Sequence, residues 1–399
     1  MGKCLLLLGG AIQQVVALKT AKAMGYRTVL CDRAINNPAR EFADVFYLES
    51  ICDKKAILEI AKKEKVDGVI SYATDPGVVT ASYVATKLKL PTNPYESIEI
   101  LSNKDLFRKF LKENGFNTPL AKGYSSIKEA LKEIKNFKLP VLVKPVDSSG
   151  SRGVSLVRDS KELEEKIEYA LLYSLKKRFI IEEYIDIIDN QISGDGFSLN
   201  GKLEVLCLGR HYFSKMAKNK FVPIATTFPY GLKKDLKEKI EVEVQRLLTK
   251  LKMQSCMYNV EIRIDQNDNI YLIEVAPRNG GNFIAQIIEH SMDIKIVEMA
   301  IKMALGEEIV LKENKGFKGY WAYFVLKSLK EGRFKKLVVS EEIKKNIVEE
   351  YIKAKEGDLV KEFLGGNDAL GVLIMKFSSN EEMLAIIKNS NKLLQVEVY

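Results

Sequence analysis

The sequence predicts an α/β and α+β protein of several domains, and three observations carry that prediction. The chain has 399 residues, whereas one domain usually takes about 100–200. Up to residue 93, short apolar runs alternate with helical patterns, as parallel βαβ units require. From residue 118 the pattern changes to strands in hairpin-like pairs separated by single helices, which argues for α+β lobes.

Residues 4–8 form an apolar run closed by Gly9-Gly10. A helical pattern continues to Met24, Gly25 stops it, and a second run fills 28–31. A helix at 54–64, a strand at 68–71 and a helix at 77–88 complete a parallel, doubly wound domain over residues 1–93. Asn93-Pro94 punctuates the chain, and helices at 95–101 and 104–114, closed by Gly115, make a connector over 94–117. The next domain spans 118–310. Its first lobe, to about residue 185, takes strand 120–124, helix 126–136, strand 141–144, a Gly/Ser loop, strand 154–157, helix 161–175 and strand 179–184. In the second lobe, about 186–310, Asn200-Gly201 marks a hairpin, because both residues accept the left-handed backbone of a two-residue turn. A helix near 233–252, a hairpin of 258–265 with 270–275, and helices to about 305 follow. Residues 311–399 form a small α+β unit with strands near 319–326, 369–377 and 393–398.

Composition excludes several classes of function. No apolar run approaches the roughly 20 residues of a membrane span, and the four leucines after Cys4 are shorter than a signal-peptide core of about 7–15 residues. A soluble, cytoplasmic protein without a membrane partner is expected. Five cysteines lack any CxxC pairing, so reduced thiols are expected. With only His211 and His290, a zinc centre has little to build on, and any metal should be held by oxygen. The formal charge of +9 comes from lysines spread through amphipathic helices rather than clustered beside aromatics. That distribution fits small phosphate-bearing ligands and no nucleic acid.

The segment V141 L V K P V D S S G S R G V154 sets Lys144 at the end of a buried strand, before a loop of small residues. Such a loop offers backbone N–H groups without side-chain bulk, as a polyphosphate requires. It is not a P-loop, in which the lysine follows the glycines; a hairpin loop beside a surface lysine is the plain alternative. Further on, a four-residue loop at 266–269 would pair 265 with 270, 264 with 271 and finally Glu261 with Glu274. Ile262, Ile264, Tyr271 and Ile273 would then share the other face. Directly opposed carboxylates repel unless a cation lies between them, and carboxylate oxygen suits Mg²⁺. The alternative is a rim pair relieved by Arg263 or Arg278. Gly9-Gly10 does not continue into GxGxxG, since Ala11 and Gln14 occupy the later positions, so nicotinamide binding is not expected despite Asp32.

Lys144 with its loop, the run Ile181-Glu182-Glu183-Tyr184-Ile185, Glu261, and I273 E V A P R N G G281 together resemble the ATP-grasp superfamily, in particular its carboxylate–amine ligases. The chain is similar to amino-acid ligases and carbamoyl-phosphate-synthase-like proteins over residues 3–305. The resemblance implies a Rossmann-like domain ahead of a two-lobed ATP-grasp domain, with ATP as cofactor. It implies that Lys104 and Lys144 contact phosphates and that Ser148, Ser149, Gly150, Ser151 and Gly153 form a lid. Glu182, Glu183, Tyr184 and Ile185 would hold the adenine edge, and Glu261 and Glu274 would bind Mg²⁺, with Mn²⁺ as a substitute. Two positions depart from the family. Ala276 replaces an Asn common two residues after the second metal glutamate, and Gln191 stands where an acidic ribose ligand is expected, with Asp189 or Asp195 as substitutes.

The function expected is an ATP-dependent ligase that activates a small carboxylate as an acyl phosphate and couples it to an amine, releasing ADP and phosphate. Lys144 and Arg278 are the catalytic candidates. Arg278 follows Glu274 by four residues and its planar fork suits a carboxylate or phosphate; alternatively it neutralises Glu261 or Glu274. His211 is either a substrate contact or a structural histidine. A phosphotransferase and a nucleotide-binding regulator without turnover are the alternative functions, and a homodimer is left open.

Overall fold

The structure, a computed structural model, describes residues 2–187, 189–214, 216–311 and 316–399. Near the N-terminus a parallel sheet runs in the order Val45–Leu48, Arg27–Asp32, Cys4–Leu8, Gly68–Ile70. The leucine run is buried on both faces. Leu5 and Leu7 pack with Leu18 and Ala21 of the helix Ile12–Ala23, while Leu6 and Leu8 pack with Ile57 of the helix Lys54–Glu64 and Val84 of Val78–Leu88. Helices on both sides explain an unbroken apolar strand. The strand Val45–Leu48 escapes sequence reading because it is a half-buried edge with no clean alternation.

Two connector helices, Tyr95–Ser102 and Lys104–Glu113, lead to an antiparallel sheet in the order Ala121–Tyr124, Phe179–Glu183, Val141–Pro145, Ser155–Val157. Val141 and Val143 of this sheet pack on Ile167 and Ala170 of the helix Leu163–Leu172. Adjacent strands therefore deliver Lys144 and Glu182 toward the opposite face.

The second sheet has eight antiparallel strands: Ile270–Ala276, Cys256–Ile264, Ile192–Leu199, Lys202–Phe213, Pro223–Phe228, Tyr320–Leu326, Gly371–Phe377 and Ile347–Ile352, in that order. Asn200 and Gly201 turn its central hairpin with φ of 50° and 84°, as the Asn-Gly signal requires. This sheet continues unbroken across residue 310. Strand Pro223–Phe228 pairs with Tyr320–Leu326 along Ala225–Phe324 to Phe228–Trp321. Strands Pro223–Phe228, Gly332–Val339 and Ile347–Ile352 and the helix Asn380–Leu393 were not anticipated. Among the described residues no helix is long and apolar enough to cross a membrane, and all five cysteines are unpaired.

Candidate functional site

A cleft of about 340 Å³ opens where the two lobes, the N-terminal sheet's loops and the C-terminal strands converge. Lys104, Lys144, Ser148, Ser149, Gly150, Ser151, Gln191, Glu261, Glu274 and Arg278 all line it. Gly153, Glu182, Glu183, Tyr184 and Ile185 are not among its lining residues.

The residues of the Gly/Ser loop owe their position to backbone. Gly150, Ser151 and Gly153 take left-handed φ of 64°, 58° and 71°, which folds the loop tightly enough to face the cleft. Lys104, the first residue of its helix, donates from Nζ to the Ser148 carbonyl at 2.7 Å and lies 3.6 Å from Glu274 Oε2. Ser148 keeps a buried hydroxyl without a partner beside the cleft. Polar atoms left open at such a place suit a ligand oxygen.

Lys144 is buried and ion-paired to Glu182. Glu182 also accepts from Arg108 Nε at 3.0 Å. Burial alone would raise the Glu182 carboxyl, but Arg108 and Lys144 bring it down to about 2. Its carboxylate is therefore engaged by two cations. Glu183 accepts from the Lys138 N–H at 2.7 Å, the Tyr184 ring lies beneath the Arg263 guanidinium, and the Ile185 carbonyl accepts from Arg263 Nη1 at 3.4 Å.

Glu261 and Glu274 do stand opposite each other, by a route the sequence did not give. The hairpin pairs Ile264 with Ile270, Arg263 with Tyr271 and Ile262 with Leu272, one residue out of the expected register. An irregularity between Glu261 and Ile262 then restores Glu261 to Glu274 and sets Val260 on Val275. The extra residue, Ile273, is displaced to the cleft wall, while Ile262, Ile264, Ile270 and Leu272 share the core. Tyr271 and Ile273 are thus not on the apolar face expected of them. Burial, with Glu261 and Asp75 nearby, pushes the Glu274 carboxyl up against the opposing pull of Lys104 and Arg278.

Gln191 donates from Nε2 to Glu261 Oε2 at 2.7 Å and accepts from Arg263 Nε at 3.0 Å. Its amide orients a glutamate at the cleft. Asp195 is fully buried, and its oxygens accept from the Gly280 N–H and Asn259 Nδ2 at 2.9 Å. Burial pushes the Asp195 carboxyl up to about 6. Asp189 pairs with Arg210 at 2.9 Å.

Arg278 has a partner that neither expectation named. Its Nε and Nη2 donate to Asp75 Oδ1 and Oδ2 at 2.9 and 2.7 Å, whereas Glu274 lies 4.0 Å away. Asp75, on the loop after strand Gly68–Ile70, carried no signal in the sequence. His211 also lines the cleft; its Nδ1 meets Thr226 Oγ1 at 2.6 Å, and burial lowers it to about 3, so the ring is neutral.

Residues 137–286 match the family model of the ATP-grasp domain. The chain carries an ATP-grasp domain. It is 28% identical over 304 residues to the carbamoyl phosphate synthase large chain, C-terminal section, of Aquifex aeolicus, covering 74% of this chain and 54% of that protein. The chain thus spans about half the length of that curated relative. Among solved structures, the L-amino acid ligase from Bacillus licheniformis superposes with a TM-score of 0.84 at 22% identity, over 100% of this chain and 99% of that one. Phosphoribosylglycinamide synthetase from Anaerococcus prevotii superposes with 0.78 at 21%, over the whole of both chains. At those identities the likeness establishes the fold. The ATP-grasp arrangement accounts for the two sheets facing each other across the cleft.

Proposed function

We propose that the protein is an ATP-dependent ligase that activates a carboxylate as an acyl phosphate and joins it to an amine, releasing ADP and phosphate. The observation that carries this reading is the pair Glu261 and Glu274, opposed at the cleft wall with Lys104 within 3.6 Å of Glu274 and the Gly/Ser loop across from them.

Two facing carboxylates, one with its proton affinity raised by burial, fit a divalent cation between them. Among the described residues no group of three or more His, Cys, Asp or Glu side chains is placed to hold a metal. In this reading Glu261 and Glu274 would hold Mg²⁺, or Mn²⁺, with phosphate oxygens and water completing the shell. Bound there, the ion would supply positive charge to the terminal phosphates. The chain itself adds Lys104, Lys144 and the N–H groups of residues 148–153, so catalysis would rest on positioning and charge stabilisation rather than a covalent nucleophile. Gln191 holds Glu261 in place.

The similarity to the L-amino acid ligase and the synthetase supports small carboxylate and amine substrates. We place the domains at 1–93, 94–117, 118–310 and 311–399, the last two sharing the eight-stranded sheet, and the protein in the cytoplasm. The test is a screen of amino acids and other carboxylates, each with and without amines, for phosphate release from Mg-ATP. Release that needs both substrates is expected; nucleotide binding without turnover for any pair would remove the ligase reading.

A further inference from the structure

The loop 148–153 does not hang free over the cleft. Gly150 and Ser151 take consecutive left-handed conformations at its tip, and Ser151 carries a side chain that disfavours this. Such a backbone persists only where surrounding contacts over-determine it. Here the contacts come from two distant parts of the chain.

Asn219 lies between strands Lys202–Phe213 and Pro223–Phe228. Its Oδ1 accepts from the Phe221 N–H at 2.9 Å, which fixes the way the amide faces. Its Nδ2 then donates to the Ser151 carbonyl at 3.0 Å and to the Leu364 carbonyl at 2.8 Å. Two carbonyl oxygens brought together in this way need a group with two N–H donors, and a carboxamide supplies them once its own oxygen is occupied. The Ser151 hydroxyl donates to the Phe221 carbonyl at 2.8 Å, and the Gly366 N–H donates to the Gly150 carbonyl at 3.0 Å. Gly365 permits the approach, since a Cβ there would come within 2.5 Å of Arg152 Cγ.

We propose that Asn219 is a positioning residue for the phosphate loop, tying Ser151 to Leu364 so that the C-terminal segment holds the loop against the cleft. The C-terminal unit then contributes to nucleotide binding without touching nucleotide. Because Phe363 and Asn367 themselves line the cleft, a substrate lying against them would act on the same tie. The proposal rests on the nucleotide reading of the loop, and its test separates the two.

Arg152 lies inside the loop, so trypsin cleavage after it reports release of the tie. Asn219→Ala removes both donors, and Asn219→Asp sets a carboxylate against two carbonyls. Each should accelerate cleavage after Arg152 by about five- to tenfold, as loss of a hydrogen-bonded contact shifts an opening equilibrium. Affinity for a magnesium complex of a non-hydrolysable ATP analogue should fall by a similar factor, with the thermal midpoint near that of the unchanged protein. Gly366→Pro removes the donor to Gly150 from the other side and should give the same cleavage pattern if the Asn219 variants do not fold. Unchanged cleavage after Arg152 in variants that fold would overturn the tie. Absence of nucleotide binding by the unchanged protein would remove the nucleotide reading, while the cleavage rates still decide the tie.

Discussion

Arg278 grips Asp75 with two parallel hydrogen bonds, joining the end of the strand that carries Glu274 to a loop of the N-terminal parallel sheet. Asp75 and Arg278 both line the cleft, so the pair faces any substrate held there. Burial disfavours both charges, and each partner restores the other: Arg278 holds the Asp75 carboxyl low, and Asp75 holds the Arg278 guanidinium high.

Two substitutions separate the parts of this pair. Arg278→Lys keeps the charge and loses the fork, and Asp75→Asn keeps the shape and loses the counter-charge. If the pair works as a unit, each should lower turnover by about tenfold or more with ATP affinity little changed. The double variant should be no worse than the more damaged single one, because residues sharing an interaction are not additive. Steady-state kinetics on the four proteins checks it; independent, additive losses would separate Arg278 from Asp75.

Glu261→Gln and Glu274→Gln should each abolish turnover and leave the fold intact. In the absence of magnesium, Glu274→Gln should also raise the thermal midpoint by about 1–3 °C, since it relieves an opposed pair of like charges. The sign with pH follows from the raised Glu274 carboxyl. The folded protein holds that proton more tightly than the unfolded chain, so the ionised carboxylate costs stability above its folded value, and the cost disappears as pH falls toward the ordinary carboxylate range. The gap between variant and parent should narrow with acid. Melting curves across pH without magnesium read this, and a gap that widens with acid contradicts it.

Glu182 makes the opposite prediction. Its carboxyl lies at about 2 in the folded protein, held there by Arg108 and Lys144 against burial. Stability from this lowered value is fully present above the ordinary carboxylate range and is lost as pH falls toward about 2. Glu182→Gln leaves two buried cations without their counter-charge and should cost about 3 kcal/mol at neutral pH. Denaturant unfolding at pH 7 measures it, and a cost under about 1 kcal/mol would mean that water reaches the pair.

The site was legible where chemistry and spacing coincide, and illegible where partners come from afar. Lys144 before its small-residue loop can be read directly from the chain, as can the helices Lys54–Glu64 and Lys104–Glu113 and the Asn200-Gly201 turn. Glu261 facing Glu274 was reached through a register one residue wrong, because a bulge leaves no mark in an alternating apolar pattern. Asp75, Arg108 and Asn219 act across 203, 74 and 68 residues of sequence respectively, and no local pattern announces such pairs. The engagement of Gln191 with Glu261 was hidden for the same reason. Strand Ile347–Ile352 lies at the margin of the eight-stranded sheet and Gly332–Val339 is the middle strand of a small separate sheet, and charged residues in both weaken their periodicity.

In the proposed reaction the terminal phosphate of ATP activates the carboxylate. The most direct measurement is chromatography of the nucleotide products formed with the carboxylate and amine that support turnover. ADP and inorganic phosphate, each rising in step with the amide product and absent without the carboxylate, are the predicted result; AMP and pyrophosphate as the main products would contradict it.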